Sequence, residues 1–124
     1  MRVLVVDDEP EILLLVRANI EAVGHTCETA ETANDAVRTL TTDAPPDVLL
    51  LDVAMPGLDG PALLADLRAR GIEPRHVMLL SAIPPEELIE LAVGLGVAWL
   101  SKPFTVDEFR QALRGLLDGV PGGN

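Results

Sequence analysis

Short apolar runs alternate with longer helical patterns along the whole chain, and few folds accommodate such a pattern. Three of the runs are typical of strands buried on both faces: RVLVV at 2–6, DVLLL at 47–51 and HVMLL at 76–80. TCETA at 26–30 predicts a weaker edge strand, and VAWL at 97–100 predicts a short one. Five strands, each followed by a helix, predict an α/β fold: a doubly wound (βα)5 chain with a five-stranded parallel sheet and helices on both faces.

Residues that favour helix ends lie where this pattern needs them. The predicted signals are Pro10 and Gly24 for the first helix, Thr32 for the second, Pro61 and Gly71 for the third, Pro85 for the fourth, and the capping box TVDE at 105–108 for the fifth. The last residues, GVPGGN at 119–124, predict a flexible tail or the start of a linker. We therefore expect one domain over residues 1–118, long enough to bury a core without disulfides.

Composition and charge limit the partners of the chain. It has 124 residues, of which 48% are hydrophobic, and a formal net charge of -11, which argues against direct binding to nucleic acid. Cys27 is the only cysteine and cannot form an internal disulfide, in agreement with a reducing compartment. No apolar run approaches the ~18 residues of a membrane helix, and no signal-peptide pattern precedes the first strand. We therefore expect a cytoplasmic protein that does not enter a membrane.

Acidic and polar side chains follow the apolar runs at the carboxyl ends of the predicted strands. Asp7 and Asp8 follow the first strand, Asp52 the third, Ser81 the fourth and Lys102 the fifth. The carboxyl ends of parallel strands meet at one edge of the sheet, where open α/β sheets bind ligands. Clustered carboxylates need a compensating cation, and such oxygen ligands suit Mg2+. Together with an ammonium and a hydroxyl, they predict a site for a phosphoryl group.

Each of these residues also has an ordinary structural interpretation. DDEP at 7–10 is typical of a helix start, and Asp52 suits the turn after a strand. Ser81 suits a cap, and Lys102 suits a solvated surface. These interpretations stay open for the single residues, but their coincidence at the ends of four strands of one sheet favours the functional site.

Four segments together resemble the receiver (response-regulator) domain of two-component signalling. They are VLVVDDEP at 3–10, DVLLLDVAMPGLDG at 47–60, LLSA at 79–82 and WLSKPF at 99–104. The resemblance implies the flavodoxin-like strand order 2-1-3-4-5. It also implies a phosphorylation-activated switch that receives its phosphoryl group from a sensor histidine kinase or a histidine phosphotransfer protein. Such a domain is not an enzyme beyond catalysing its own phosphorylation and dephosphorylation.

The resemblance implies a role for each residue of the site. Asp52 matches the phospho-acceptor, a carboxylate nucleophile. Asp7 and Asp8 match the acidic pair that binds Mg2+ or Mn2+, together with Asp52 and the backbone carbonyl of Ala54. Lys102 matches the lysine that pairs with the bound phosphoryl oxygen.

The resemblance also implies a switch and a docking patch. Ser81 matches the hydroxyl that moves towards the phosphoryl group, and Trp99 stands where receivers usually carry a Tyr or Phe that then turns inward. The responding face is expected to be the fourth helix, fifth strand and fifth helix. Leu14 and Leu15, with Pro103 after an expected cis peptide bond, resemble a docking patch for the phosphodonor. A static core or interface role for Trp99 and an isolated surface position for Leu14 are the alternatives.

The first helix and the overall function leave further alternatives open. At about 100° per residue, Ile12, Val16, Ile20 and Val23 are expected to share the buried side of that helix. A receiver-like interaction domain without phosphorylation is a second possible function, and an aspartyl-phosphate phosphohydrolase is a third. Against the hydrolase, Ala54 stands where a second acid could serve as general acid. The chain is expected to be a stand-alone receiver or the first part of a larger regulator, and a phosphorylation-dependent homodimer is possible.

Overall fold

The computed structural model describes residues 1–42 and 44–119. Strands and helices alternate in this part of the chain as β1 (Arg2–Val6), α1 (Pro10–Ala22), β2 (Thr26–Ala30), α2 (Ala33–Leu40), β3 (Val48–Asp52), α3 (Gly60–Ala69), β4 (His76–Ser81), α4 (Pro85–Leu95), β5 (Ala98–Ser101) and α5 (Val106–Leu117). All strand pairs are parallel, in the order β2-β1-β3-β4-β5. The predicted fold class and strand order are confirmed.

Two apolar layers hold the sheet between the helices, because successive side chains of a strand point to opposite faces. Val3 and Val5 of β1 belong to the layer that includes α1 and α5. Leu4 and Val6 belong to the layer that includes α2, α3 and α4. The central strands β1, β3 and β4 are buried along almost their whole length, which explains why their sequences are uniformly apolar rather than alternating.

Three strands end one residue later than the apolar pattern predicted. β3 includes Asp52, β4 includes Ser81 and β5 includes Ser101. The reason is the parallel register, in which Asp52 pairs with Leu80 and Ser81 pairs with Ser101, so ladder hydrogen bonding continues past the apolar runs. Polar residues of the predicted site are therefore held by strand geometry rather than by flexible turns.

The helix ends follow the predicted signals with two corrections. Thr32 caps α2, and Thr105 with Glu108 forms the predicted capping box of α5. In α3 the cap is Asp59, whose side chain accepts a hydrogen bond from the Ala62 amide, so the helix begins at Gly60 rather than Pro61. These caps fix the helices that flank the carboxyl edge of the sheet.

The end of α1 differs from the prediction. Val23, which was expected on the buried side, is an exposed C-cap residue. The helix stops at Ala22 and Gly24 follows at φ 92°, a backbone conformation that favours glycine, so Val23 no longer follows the helical period. Val16 and Ile20 are buried as expected.

The predicted tail at 119–124 lies, apart from Gly119, outside the described residues. Among the residues that are described, no helix is both long enough and apolar enough to cross a membrane.

Candidate functional site

The carboxyl edge of the sheet brings the predicted carboxylates together. Asp7 directly follows β1, and Asp52 ends β3, the neighbouring strand on the side where the strand order reverses. One carboxylate oxygen from each of Asp7, Asp8 and Asp52 lies within 4.8 Å of the other two. Asp7 and Asp52 are buried, whereas Asp8 is exposed. The cluster therefore opens to solvent on the side of Asp8.

Lys102 reaches into this cluster from the end of β5. Its Nζ lies 2.7 Å from Oδ2 of Asp7 and 3.3 Å from Oδ2 of Asp52. The Lys102 side chain is only 7% exposed, so its charge is balanced by these carboxylates rather than by water. The only lysine of the chain thus lies between two buried acids.

Glu9 is a site residue that the sequence analysis did not single out. Its Oε2 lies 3.3 Å from Nζ of Lys102, although most of the Glu9 side chain is exposed. The available signal was its place as the third acid of DDEP, directly after Asp7 and Asp8. Because water screens the exposed Glu9 carboxylate, Glu9 adds less to the binding of the ammonium than the two buried aspartates do.

Backbone amides fix the orientation of both buried carboxylates. Oδ1 of Asp7 accepts a hydrogen bond from the Glu9 amide at 2.9 Å, and Oδ1 of Asp52 accepts one from the Ala54 amide at 2.8 Å. Each bond spans two residues, as in an Asx turn. The second oxygen of each carboxylate, Oδ2, is then the one that faces Lys102. The two aspartates are therefore oriented by the same local geometry.

Burial and charge shift the pKa of two groups in this cluster. Burial raises the pKa of Asp7 above its ordinary value, against the opposing effects of Lys102 and of the Glu9 amide. Burial also acts to lower the pKa of Lys102, but the contact with Asp7 and the charge of Asp52 outweigh it, and that pKa is raised. Burial thus disfavours the charged form of Asp7, whereas the neighbouring carboxylates favour the charged form of Lys102.

The donor set fits a hard divalent cation. Oδ2 of Asp7 is buried and accepts no hydrogen bond among the described residues, because its 2.7 Å contact with Lys102 is an ion pair without hydrogen-bond geometry. Three carboxylates that approach within 4.8 Å of one another are oxygen ligands of the kind that Mg2+ and Mn2+ prefer. The acidic pocket of Asp7, Asp8 and Asp52 could therefore bind a divalent metal ion.

The two predicted switch residues lie on one face of the sheet. Ser81 is buried at the end of β4, and its Oγ accepts a hydrogen bond from the Ile83 amide at 3.3 Å. Trp99 pairs with Leu79 of β4 and packs, half-buried, against the layer that includes α4. Ser81 lies two residues after Leu79 in β4, and residues two apart in a strand share a face. Because Trp99 is the partner of Leu79, Ser81 and Trp99 both lie on the α4 side of the sheet. Whether either residue moves stays a prediction.

The predicted docking residues are accessible. Leu14 is 71% exposed and Leu15 is partly exposed on α1. Pro103 is exposed, and the Lys102–Pro103 peptide bond is cis, as expected. The structure thus leaves these side chains available to a partner, and their role in docking stays a prediction.

A parallel α/β sheet with an acidic cluster and a lysine at its carboxyl edge is the arrangement that the sequence resemblance implied. Comparison with known families identifies the family directly. The model of the response regulator receiver domain matches residues 3–114, and the chain belongs to that family.

Individual relatives agree with this assignment. The transcriptional regulatory protein KdpE of Mycobacterium tuberculosis is 38% identical over 113 residues, which cover 90% of this chain and 49% of KdpE. The response regulator MprA of Mycobacterium ulcerans is 33% identical over 120 residues, covering 94% of this chain and 50% of MprA. The chain thus spans about half the length of these curated relatives.

Solved structures give the same result for the fold. The receiver domain of the Francisella response regulator 1452 is 31% identical and has a TM-score of 0.80, with 95% of this chain and 97% of that chain covered. The chemotaxis protein CheY4 of Vibrio cholerae is 26% identical, also with a TM-score of 0.80, and the coverage is 93% and 97%. The predicted resemblance to receiver domains is confirmed.

Proposed function

We propose that this receiver domain is a signalling switch in which Asp52 accepts a phosphoryl group from a phosphohistidine of a kinase or phosphotransfer protein. The observation that carries the proposal is the buried contact of Lys102 with the Oδ2 atoms of both Asp7 and Asp52. This contact places one cation beside the oxygen that would bond to phosphorus, and therefore beside the charged oxygens of the transferred group. Membership of the receiver family supports the same role.

The transfer step follows from the orientation of Asp52. Its Oδ1 accepts a hydrogen bond from the Ala54 amide, and its Oδ2 accepts one from Lys102 at 3.3 Å, so Oδ2 would attack phosphorus as Lys102 turns to the transferred oxygens. As the Oδ2–P bond forms, the P–N bond to the donor histidine breaks, and the electron pair remains on the imidazole nitrogen. Lys102 stabilises the charge on the transferred oxygens, and the buried position limits attack by water.

A divalent cation would be held by Asp7, Asp8 and Asp52, with the carbonyl of Ala54 as a further predicted ligand. When bound, Mg2+ or Mn2+ supplies neutralisation of the phosphoryl charge. The residues of the chain supply the remaining parts of the site. Asp7 is held by its backbone hydrogen bond, and Asp8 lies at the solvent side of the cluster.

The proposed conformational response begins with the negative charge that phosphorylation of Asp52 would add. An aspartyl phosphate adds roughly -1.5 to -2 charge at the carboxyl edge of the sheet. The Ser81 hydroxyl would leave the Ile83 amide and donate to the phosphoryl group, and Trp99 would repack in the space on the α4 side. The surface of α4, β5 and α5 then changes, which a downstream effector could read.

Phosphorylation of Asp52 is tested with a small phosphodonor such as acetyl phosphate and Mg2+, followed by a phosphate-affinity gel. We expect a shifted band for the wild type and none for Asp52→Asn, because the amide is not a nucleophile. Asp66→Asn, which removes an exposed carboxylate of α3, is the matched control and should shift like the wild type.

Two other results, one from this gel and one from an assay of phosphate-ester hydrolysis, would indicate the rival functions. No shift in the wild type would favour an interaction domain that is not controlled by phosphorylation. Sustained multiple turnover of a small phosphate ester, abolished by Asp52→Asn, would indicate a phosphohydrolase. We propose that the domain catalyses only its own phosphorylation and dephosphorylation, since Ala54 supplies no second acid.

The proposed phosphodonor surface is the exposed apolar pair Leu14 and Leu15 on α1, with Pro103. Exchange of both leucines for Glu should slow phosphotransfer from the protein donor, because apolar contact is lost at the docking patch. The rate with acetyl phosphate should not change, since Asp52 and Lys102 are untouched. Equal slowing with both donors would remove the docking role.

The proposed output of the switch is inferred from the names of its relatives. KdpE is named a transcriptional regulatory protein, and this chain matches about half of it. The domain would therefore act on a transcriptional output in a longer regulator or on a separate effector. Its cytoplasmic location, its lack of direct nucleic-acid contact and a phosphorylation-dependent homodimer stay predictions.

A further inference from the structure

A groove between α1 and α5 carries positive charge on a protein whose net charge is -11. We name it the α1/α5 groove. Its apolar lining comes from Val23, Leu113 and Leu117, and its basic lining from His25, Arg110 and Arg114. Both arginines and Val23 are exposed. The surface therefore combines apolar area with cations, a combination that suits an acidic amphipathic partner.

The two arginines of the groove differ from most other arginines in their partners. Five arginines form ion pairs with nearby acids: Arg2, Arg17, Arg38, Arg68 and Arg70. Arg110 instead donates to the Asn19 amide oxygen at 2.9 Å. Neither Arg110 nor Arg114 forms an ion pair within residues 1–42 and 44–119, and Asp118 is the acid that lines the groove beside them.

The amino terminus adds to this positive surface. The ammonium group of Met1 lies 3.0 Å from Nδ1 of His25, which lines the groove. Two guanidinium groups and one ammonium therefore lie at or beside the groove. Asp118 is the one acid among the described residues that line the groove, so the positive groups there outnumber the negative ones.

The outer side of α4 has the opposite character. Val93 is 72% exposed, and Ile89, one turn earlier, is also exposed. Glu86 and Glu90 lie next to this apolar pair and are exposed as well. At about 100° per residue, these four side chains share one side of the helix. We name them the α4 strip.

The α4 strip and the α1/α5 groove match in spacing and in charge. Arg110 and Arg114 are four residues apart on α5, and Glu86 and Glu90 are four residues apart on α4. On a helix this separation is about 6 Å along the axis in both cases. Two ion pairs can therefore form side by side while the apolar residues beside them come into contact.

Neither surface is complementary in charge to a second copy of itself. Two α4 strips placed face to face would bring four glutamates together with no cation in either strip, and two grooves would bring four arginines together. A symmetric dimer through either surface alone is thus disfavoured. Helix α4 packs on the sheet layer opposite to that of α1 and α5, so the two surfaces lie on different sides of the molecule.

We propose that copies of this chain associate head to tail, with the α4 strip of one copy in the α1/α5 groove of the next. Such a heterologous contact produces a ring or an open filament rather than a closed twofold dimer. The proposal does not depend on phosphorylation of Asp52. The net charge of each copy opposes association, but at physiological ionic strength a Debye length of about 8 Å limits this repulsion to nearby groups.

The test is sedimentation velocity of the full chain over a concentration series at physiological ionic strength. For the wild type, we expect the weight-average sedimentation coefficient to rise with concentration. Arg114→Glu and Glu90→Arg should each abolish the rise, because like charges then face each other. An equimolar mixture of the two variants should restore it, since each reversed surface meets its reversed counterpart on the other variant.

Matched controls separate local charge from net charge. Arg38→Glu on α2 and Glu31→Arg before α2 change the net charge by the same amounts outside both surfaces, and both should associate like the wild type. Association lost equally in these controls would overturn the proposal. A wild type that stays monomeric at all concentrations, or a mixture that does not associate, would also overturn it. Stronger association of Glu90→Arg alone would indicate symmetric pairing through α4 and would overturn it too.

Discussion

Both the carboxyl edge of the sheet and the outer helices contain ion pairs between a basic side chain and a carboxylate, but those of the edge are buried and those of the helices are exposed. Lys102 contacts Asp7 and Asp52 with a side chain that is only 7% exposed. Arg70 and Asp66 on α3 form an ion pair of similar length, 3.2 Å, but their side chains are 54% and 51% exposed. The difference lies in access to water, not in the distance between the charges.

This difference decides what each pair does. An exposed pair four residues apart on a helix gains about 0.3–0.5 kcal/mol, because water screens both charges. A buried charge must be balanced by its neighbours, and removing one partner is strongly destabilising. The carboxyl edge therefore holds charge that the fold must keep compensated, which is the condition in which a metal ion and a phosphoryl group have large effects.

The largest expected effect is that of Lys102→Met. This change leaves Asp7 and Asp52 buried without their cation and should lower the free energy of unfolding by about 3 kcal/mol. Arg70→Met, the exposed counterpart, should lower it by less than about 0.5 kcal/mol. Urea denaturation without divalent metal measures both values. Equal losses would show that water screens the buried cluster as well as the surface.

A smaller effect is expected from metal binding to the same cluster. Mg2+ at a hundredfold excess over its Kd should stabilise the wild type by about 2.7 kcal/mol. At the same Mg2+ concentration, Asp7→Asn and Asp8→Asn should gain less, because each removes one of the three carboxylates. Thermal unfolding with and without Mg2+ gives the gain. Asp66→Asn is the exposed control, and a reduced gain in that variant would argue against a specific site.

Cys27 on β2 provides a test in which burial is the largest influence on the pKa of a side chain. Burial raises the pKa of its thiol from 9.0 to about 11. Near neutral pH this lowers the thiolate fraction about a hundredfold, so a thiol reagent should react far more slowly with the folded than with the urea-unfolded chain. Equal rates would contradict the burial of Cys27.

The same shift has a defined sign for stability. Because folding raises the pKa of Cys27, its contribution to stability is complete below pH 9.0 and is lost as the pH rises towards about 11. The free energy of unfolding should therefore fall over that range more steeply for the wild type than for Cys27→Ala. Parallel pH profiles would show that the thiol does not contribute.

Much of the fold could be predicted from local pattern. Uniformly apolar runs such as 47–51 indicated central strands, and the caps at Thr32 and Thr105 were recognisable from residue type and spacing. The errors arose where register or chain geometry overrides local sequence. β3 continues through Asp52 because it pairs with β4, and Val23 is exposed because α1 ends before it.

The sequence by itself determined the order of strands and helices and the chemistry available at the carboxyl edge, since both depend on residue types that follow one another along the chain. Only the tertiary structure decided the distances. The contact of Lys102 with Asp7 joins residues that directly follow β5 and β1, two strands that are not neighbours in the sheet. The role of Glu9 beside Lys102 and the matching charges of α4 and α5 likewise depend on burial and on relative position in space, which no local pattern specifies.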